Sequence, residues 1–387
     1  MKDLQKRLAT LAVAVPLLAA GPIPGSSGPD SQPAPVDERT IDLTRSAFDL
    51  DAARNHEFRE IAGRKAFCLE GVALLQGELM SEGTVLVDVA STGERQFAGV
   101  VFRADDAANF EEAYLRTHKS RQPDAIQYTP VMNGETNWQL FRQFQAMADF
   151  GDQPWVTLRV DFRTDSALVS AYGVSETQLR IDRLVRGGEG QRLGLNSLGG
   201  ACFSNLRLLR QPRLPAMAPA TPAPVPAGTI TSWALSPATP FGAFAPLPPE
   251  RGADWNVVKA EDDGVLLISR HRSKAVSALY ERNSIDVVHA GVSLRSESQR
   301  TVELEFDASD RSRIYLNGRA LAEFDNTFRA KGPLFRGDFG MAQQKLYLPL
   351  EKGTNSLVFA VAERANGWGL AARLVDPSGI EVSPLGQ

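Results

Sequence analysis

Three side chains that could contact a ligand recur at a spacing of two along one short run of this chain. They are Tyr114, Arg116 and His118, with smaller or apolar residues between them. Because successive side chains of a β-strand point to opposite faces, a strand here would project all three from one face. Such a row of aromatic, guanidinium and imidazole groups could hold a polyhydroxylated ligand. The alternative is a polar sheet face on which Arg116 pairs with Asp124 or Glu112.

Neighbouring strand-like runs add four more side chains to this predicted surface. Asp88 and Gln127 alternate with apolar residues, Arg103 ends its run on the face opposite Phe102, and Trp138 opens the next predicted strand. The predicted ligand-binding residues are therefore Asp88, Arg103, Tyr114, Arg116, His118, Gln127 and Trp138.

Motifs for catalysis are sparse. Retaining glycosidases need two carboxylates about 5 Å apart, which on one strand would read E-x-D-x-E. The first half of the chain has no such run, and the pair Glu303 and Glu305 is explained by a solvated strand face. The sequence also lacks a G-x-S-x-G nucleophile elbow. No catalytic residue is assigned, although His118 or Asp88 would serve as the base if the chain were a glycoside hydrolase or lyase.

Metal-binding and cofactor-binding patterns are equally sparse. The four histidines form neither H-x-H nor H-E-x-x-H. Acidic loop pairs at Asp105-Asp106 and Asp262-Asp263 could hold a structural Ca²⁺, although acidic turns occur in any β protein. We therefore predict no cofactor, with Ca²⁺ as the alternative.

Length, composition and charge bound the protein class. At 387 residues the chain suggests two domains, and its 43% hydrophobic content can build two cores. A formal net charge of -4 gives no electrostatic footprint for nucleic acid. Oligo- or polysaccharide is the partner that the predicted surface favours.

The N-terminus is typical of an export signal. Lys2, Lys6 and Arg7 precede the apolar run Leu8–Ala20. That run is shorter than the roughly 20 apolar residues of a membrane-spanning helix. We predict a signal peptide at residues 1–21 and a periplasmic or extracellular protein without a membrane span.

Proline-rich segments divide the rest of the chain. Residues 22–40 are predicted to be a disordered leader, and residues 211–229 a Pro/Ala-rich linker. Domains are therefore expected at residues 41–210 and 230–387.

Two cysteines, Cys68 and Cys202, lie near the start and the end of the first domain. An even count in an exported protein indicates a disulfide, and the alternative is two buried free thiols.

Both domains are predicted to be antiparallel β-sandwiches, because short runs of alternating polarity recur between turn residues. In the second domain, Asn317-Gly318 predicts a two-residue hairpin, and Gly353 predicts the turn of a second one. A short helix is the expectation for Ser46–Glu60. The strands predicted in the first domain are Thr84–Ala90, Phe97–Arg103, Phe110–Thr117, Ala125–Thr129, Trp155–Phe162, Ala167–Tyr172, Arg180–Leu184, Gln191–Ser197 and Cys202–Leu209.

Several motifs of the first domain resemble those of one known family. They are Phe97–Ala104, Asn109–His118, Pro123–Gly134, Trp138–Leu140 and Cys202–Leu208. Together they resemble concanavalin A-like (laminin-G-like) jelly rolls, in particular the exported domain labelled 3-keto-disaccharide hydrolase. The resemblance implies two curved sheets with a sugar on the concave one, and it places the first and last strands side by side, which supports the disulfide.

The second domain resembles galactose-binding-like jelly rolls, which often accompany carbohydrate-active enzymes. The residues that carry this resemblance are Leu279–Val287, Ile314–Leu321, Leu346–Val361 and Gly367–Leu374. Our first hypothesis is therefore a carbohydrate-binding protein without catalysis. A glycoside-processing enzyme and an envelope scaffold or adhesion protein are the alternatives.

Overall fold

The all-β class expected from the sequence is confirmed in a computed structural model. The structure describes residues 37–61, 63–210, 224–274 and 284–386. The predicted signal peptide, most of the predicted leader, residues 211–223 of the predicted linker and residues 279–283 lie outside this range. Val36–Gln387 cluster as one compact unit, so contacts between its two strand-rich regions belong to one fold.

The N-terminal sandwich is built from the strands between residues 38 and 209. They are β1 (Glu38–Thr40), β2 (Phe48–Asp49), β3 (Ala53–Ile61), β4 (Arg64–Leu79), β5 (Gly83–Ala90), β6 (Phe97–Asp106), β7 (Asn109–Leu115), β8 (Ile126–Met132), β9 (Glu135–Thr136), β10 (Gln145–Ala146), β11 (Trp155–Phe162), β12 (Ala167–Tyr172), β13 (Glu176–Ile181) and β14 (Arg192–Leu209). Short 3₁₀ turns lie at Arg45–Ala47, Thr117–Lys119 and Trp138–Phe141.

These strands pair antiparallel in the order β10-β8-β7-β6-β14-β5-β11-β12-β13. The sheet folds into two layers because β4 and β14 are long and pair with each other along both layers. Residues Gly194–Ser197 of β14 pair with β6, whereas Phe203–Leu209 pair with β5. Gly71 allows β4 to bend, since its φ is +102° and a Cβ there would lie 2.6 Å from the carbonyl oxygen of Ala52. The main core lies between the layers.

The predicted disulfide is confirmed. Cys68 on β4 and Cys202 on β14 are register partners and are covalently linked. The pairing of an early strand with the last strand of the sandwich brings these distant residues together.

Three local predictions in this region are wrong. The helix expected at Ser46–Glu60 is absent from these described residues: β3 starts at Ala53, and Phe58 stacks on Phe67 of β4 with ring centroids 4.6 Å apart. Sheet pairing and this stacking outweigh a weak helical pattern. Glu38–Thr40, assigned to the leader, form β1 on the edge of β14. The strand expected at Arg180–Leu184 is β13, displaced toward the N-terminus.

The C-terminal sandwich is built from the strands between residues 232 and 384. They are β15 (Ser232–Leu235), β16 (Thr239–Pro240), β17 (Asn256–Lys259), β18 (Leu266–Leu267), β19 (Asp286–Ser296), β20 (Arg300–Ser309), β21 (Arg311–Leu316), β22 (Arg319–Asp325), β23 (Gln344–Leu350), β24 (Gly353–Glu363), β25 (Gly369–Leu374) and β26 (Ile380–Pro384). A one-turn helix, α1, spans Ile268–His271. Among the helices of the described residues, none combines the length and the hydropathy needed to cross a bilayer.

Two antiparallel sheets enclose the second core. One has the order β17-β15-β19-β24-β21-β22, and the other has the order β18-β25-β20-β23. The Asn317-Gly318 hairpin is confirmed, with φ angles of 51° and 77° between β21 and β22. The second predicted hairpin is wrong, because β23 pairs with β20 whereas β24 pairs with β19 and β21. The turn before Gly353 therefore carries the chain from one sheet to the other.

The two sandwiches contact each other through buried and half-buried polar side chains. The Ser269 hydroxyl donates to Asn137 Oδ1 at 2.7 Å, and the Trp138 indole N–H donates to Asn366 Oδ1 at 3.0 Å. Lys274 Nζ lies 3.1 Å from Glu135 Oε2, and both side chains are almost fully buried. These contacts place one edge of the C-terminal sandwich beside β8, β9 and the turn at Trp138–Phe141.

Candidate functional site

The partly exposed ring of Phe97, at the start of β6, is the centre of a cationic and aromatic cluster. The guanidinium carbons of Arg95 and Arg116 lie 4.9 and 5.0 Å from the Phe97 ring centroid. The His118 and Tyr114 rings lie 5.7 and 6.0 Å from the same centroid. We call these five residues the Phe97 surface.

Strand register explains part of this cluster. Tyr114 on β7 lies opposite Gly99 on β6 and opposite Gln127 on β8, so these residues share one sheet face. Gln145 on β10 continues the row beside Gln127. Tyr114 and Arg116 lie on the same side, as their spacing predicts. His118 does not extend the strand, because β7 ends at Leu115 and the 3₁₀ turn Thr117–Lys119 follows.

A hydrogen-bond network holds the polar side of the Phe97 surface in place. Gln127 Oε1 accepts from the Tyr114 hydroxyl at 2.9 Å and from Arg116 Nη1 at 3.1 Å. Arg116 Nη1 also donates to Asp124 Oδ2, and Arg336 of the C-terminal sandwich donates to the same oxygen at 2.9 Å. Burial acts to raise the pKa of Asp124, but Arg116 and Arg336 outweigh it and hold that pKa below its ordinary value. Asp124 is therefore ionised at neutral pH.

His118 is a neutral hydrogen-bond donor in this cluster. Its Nδ1 accepts the backbone N–H of Gln96 at 3.3 Å, which places the proton of the neutral ring on Nε2. Burial lowers the pKa of His118, and the positive charges of Arg116 and Arg95 lower it further. At neutral pH the imidazole therefore offers one N–H rather than a positive charge.

Several donors of the cluster have no partner among the described residues. They are Arg116 Nε, Gln127 Nε2 and Gln145 Nε2, all shielded from solvent. Gln127 is 1% exposed, so its free amide group is deeply buried. An unpaired buried donor costs about 1–3 kcal/mol.

Trp138 extends the Phe97 surface toward the C-terminal sandwich. The Arg336 guanidinium carbon lies 5.4 Å from the Trp138 ring centroid, and Phe328 meets that ring edge-on at 6.1 Å. Phe328 is 40% exposed. The sequence predicted that Trp138 opens a strand. This prediction is wrong, because Trp138 lies in the 3₁₀ turn Trp138–Phe141.

Asp88 and Arg103 are not part of this cluster, contrary to the sequence prediction. Asp88 lies on β5 in the other layer, where it accepts from Arg64 Nη1 at 2.7 Å and from the Thr157 hydroxyl at 2.6 Å. Arg103 is 3% exposed and donates to the backbone carbonyl groups of Ser81 and Gly188. Alternation along a strand predicts which side Asp88 faces but not which layer its strand joins. Arg103 lies on β6 with Phe97, but toward the other end of the strand, where the register with β7 shifts after Phe102.

Sequence reasoning missed Phe97, Gln145, Arg336 and Glu112 as members of the site. Glu112 precedes Tyr114 by two residues on the same face of β7, and its Oε1 accepts from Asn196 Nδ2 at 3.0 Å. Burial raises the pKa of Glu112 to about 7. The two-residue spacing that selected Tyr114 could also have found Glu112. Arg336 is separated from its partner Asp124 by 212 positions in the sequence, so no local pattern could have found it.

Paired acids and metal-ligand clusters are not seen among the described residues of this site. Glu111, the neighbouring acid, points to the opposite side of β7 and accepts from the Tyr128 hydroxyl at 2.7 Å. No group of three His, Cys, Asp or Glu side chains in the described ranges is placed to hold a metal ion. Asp105 and Asp263, considered for Ca²⁺, pair with Arg186 and Arg183.

No protein-family model matches the chain, and no curated protein sequence matches it. Three similar solved structures are the carbohydrate binding module CBM66 from Bacillus subtilis (12% identity, TM-score 0.30, 42% of this chain and 94% of that one), a protein of unknown function with a galectin-like fold from Bacillus subtilis (10%, 0.31, 46% and 91%) and a GH43 protein from Bacillus licheniformis (11%, 0.29, 45% and 37%). These similarities are too low to transfer a function, and the family suggested by the sequence motifs stays a prediction.

Proposed function

We propose that this protein binds carbohydrate on the Phe97 surface without catalysing a reaction. The observation that carries the proposal is the partly exposed Phe97 ring flanked by Arg95, Arg116 and His118. Sugar rings stack their apolar faces on aromatic side chains, and planar donors beside the ring bond the hydroxyl groups. The Nε2–H of the half-buried His118 ring supplies one such donor.

The alternative is a glycoside-processing enzyme, and Glu112 is the observation that favours it. A carboxyl group with a pKa of about 7 can act as a general acid near neutral pH. The two-carboxylate mechanism needs a second acid, which the described contacts of Glu112 do not provide. Of the two bases considered from the sequence, Asp88 lies in the other layer and cannot act with Glu112, whereas His118 lies at the Phe97 surface.

A glycan-array screen of the purified full-length protein tests the proposal. Phe97→Ala should weaken binding about tenfold, equal to about 1.4 kcal/mol, because it removes the stacking ring. Tyr347→Ala is the matched control, since Tyr347 is a 62% exposed aromatic residue on β23 of the C-terminal sandwich. The proposal fails if the folded protein binds no glycan, or if both variants bind like the wild type. Release of reducing sugar that Glu112→Gln abolishes would establish the enzyme instead.

We also propose that residues 1–21 direct export to the periplasm or the extracellular space. Lys2, Lys6 and Arg7 ahead of the apolar run Leu8–Ala20 support this. The disulfide between Cys68 and Cys202 also supports it, since such bonds persist in oxidising compartments. N-terminal sequencing of the protein recovered from a cell-envelope or culture fraction tests the proposal, which a cytoplasmic protein with an intact N-terminus would refute.

A further inference from the structure

The loop between β22 and β23 carries the most exposed large apolar side chain of the described residues. Leu334, near the middle of this loop, is 92% exposed, and Phe328 is 40% exposed. Ala330 and Pro333, which lie between them in the sequence, are exposed as well. We call residues 327–337 the Leu334 loop.

The exposed position of Leu334 belongs to an ordered loop. The backbone N–H of Arg329 donates to the Phe335 carbonyl at 2.9 Å and closes the tip of the loop. Arg329 has a φ of +68°, a strained value for a residue with a side chain, and such strain is concentrated at functional sites. Gln139 of the N-terminal sandwich donates to the Arg336 carbonyl at 2.6 Å and fixes the base. The loop therefore holds its apolar tip away from the core.

Two cations of the Leu334 loop are not neutralised by a salt bridge. The loop includes Arg329, Lys331 and Arg336 but no acid. Arg336 pairs with Asp124 and Asp338. Across the ranges that the structure describes, no carboxylate lies within salt-bridge distance of Arg329 or Lys331.

The remaining acids near the loop are engaged elsewhere. Asp325, which precedes the loop, lies 3.7 Å from Arg311. Asp307 interacts electrostatically with Lys331, but it is 1% exposed and accepts from Asn326 Nδ2 at 2.6 Å. The exposed charge of the loop is therefore positive.

Each of the two unpaired cations packs against an aromatic ring of the same loop. The Arg329 guanidinium carbon lies 5.0 Å from the Phe328 ring centroid, and Lys331 Nζ lies 4.8 Å from the Phe335 ring centroid. Aromatic and cationic side chains favour the interface between a bilayer and water, where the ring meets the acyl boundary and the cation meets lipid phosphate.

A lipid surface fits these features better than a protein partner. A specific protein interface buries about 800 Å² of each partner over about 20–30 residues, whereas an interfacial segment needs only a small apolar tip flanked by cations. The formal net charge of -4 opposes an anionic surface, but physiological salt screens exposed charges beyond about 8 Å. The other exposed large apolar side chains of the C-terminal sandwich lie on other strands and loops: Leu247, Val257, Tyr347 and Val375.

We propose that the Leu334 loop binds reversibly to the surface of anionic phospholipid membranes. Leu334 and Phe328 enter the acyl boundary, while Arg329 and Lys331 contact lipid phosphates. This second binding site goes beyond the proposed carbohydrate-binding function and does not depend on it.

Cosedimentation of the full-length protein with sugar-free vesicles tests the proposal. Phosphatidylcholine vesicles that contain phosphatidylserine are compared with vesicles of phosphatidylcholine alone. The anionic vesicles should bind the protein about tenfold more tightly, and raising the salt concentration should weaken that binding.

Matched leucine variants test the apolar tip. Leu334→Ser should lower the affinity for the anionic vesicles about tenfold, because it removes the side chain that enters the bilayer. Leu247→Ser is the control, since Leu247 is 65% exposed on another loop of the same sandwich, and it should bind like the wild type.

Matched double variants test the charges. Arg329→Gln/Lys331→Gln should lose most of the preference for vesicles with phosphatidylserine. Arg319→Gln/Lys352→Gln removes the same charge from other exposed positions of the C-terminal sandwich and should keep that preference.

Three results would overturn the inference. They are the absence of binding to both kinds of vesicle, equal binding by Leu334→Ser and Leu247→Ser, and equal effects of the two double variants. Self-association in sedimentation velocity that only Leu334→Ser abolishes would assign the loop to a protein contact and would also overturn it. Because the vesicles carry no sugar, each of these results leaves the proposed carbohydrate binding intact.

Discussion

Lys274 should be the side chain on which the contact between the two sandwiches depends most. Its Nζ lies 3.1 Å from Glu135 Oε2 of the N-terminal sandwich and donates to the Arg364 carbonyl at 2.6 Å. Two further buried carboxyls, Asp310 and Glu363, interact with the same ammonium. Lys274 is thus the cation that compensates three buried acids.

Burial raises the pKa of Glu135, Asp310 and Glu363 above their ordinary values, and the positive charge of Lys274 counters this in each case. A raised folded-state pKa means that the folded protein binds more protons than the unfolded chain. The stability contribution of these acids is therefore complete below their ordinary pKa values and is lost as the pH rises through the raised values.

Lys274→Met removes the compensating charge while keeping much of the side-chain volume. Losing one partner of a buried ion pair costs about 3–5 kcal/mol, and we expect this loss in the free energy of unfolding near pH 8. Without the ammonium, the pKa values of the three acids rise further, so the acids are neutral near pH 5. The loss in the free energy of unfolding near pH 5 should therefore be roughly half of the loss near pH 8, or less.

Guanidinium denaturation of the wild type and of Lys274→Met, near pH 8 and near pH 5, measures the loss in the free energy of unfolding at each pH. Lys345→Met is the control, because Lys345 pairs with Glu303 on the surface at 2.7 Å and its side chain is 57% exposed. This control should leave the free energy of unfolding nearly unchanged at either pH. A Lys274→Met loss below about 1 kcal/mol, or one no larger near pH 8 than near pH 5, would refute the reasoning.

Three further predictions concern the disulfide, a hairpin and His118. Replacing Cys68 and Cys202 by alanine should lower the free energy of unfolding, because the bond closes a loop with a sequence separation of 134. The chain-entropy model gives a loss of about 5 kcal/mol, which chemical denaturation measures. A loss under about 1 kcal/mol would contradict this prediction. Gly318→Val should lower the melting temperature, since φ at Gly318 is +77°, whereas Gly242→Ala, with open space around it, should not; equal melting temperatures would disprove the turn argument. The NMR titration midpoint of His118 should lie below its ordinary 6.5, because burial and the positive charges of Arg116 and Arg95 lower its pKa; a midpoint at or above 6.5 would count against the assigned environment.

The structure confirms those sequence predictions that rest on local rules. Asn317-Gly318 adopts the positive φ angles of a hairpin turn because few other residue pairs do so without strain. Tyr114 and Arg116 share a face because strand geometry has a period of two. The pairing of Cys68 with Cys202 is also confirmed, although it was predicted from the even number of cysteines and not from a local rule.

Predictions that needed the third dimension were wrong or were not made. Gly353 lies next to a turn, but local turn chemistry does not reveal that β23 and β24 join different sheets. Asp88 alternates correctly on β5, yet β5 lies in the layer that does not carry the Phe97 surface. His118 reaches the Phe97 ring through a 3₁₀ turn. The spacing of two between Tyr114, Arg116 and His118 had predicted that the strand continues there.

The sequence by itself determined the all-β class, the turn at Asn317-Gly318 and the shared face of Tyr114 and Arg116, because each depends on torsion preferences and side-chain periodicity within a few residues. Only the tertiary structure decided that Arg336 joins Asp124, that Gln145 continues the row beside Gln127, and that Lys274 meets Glu135. These contacts depend on which strands pair and how the sandwiches dock, and both are set by burial of whole faces rather than by local spacing.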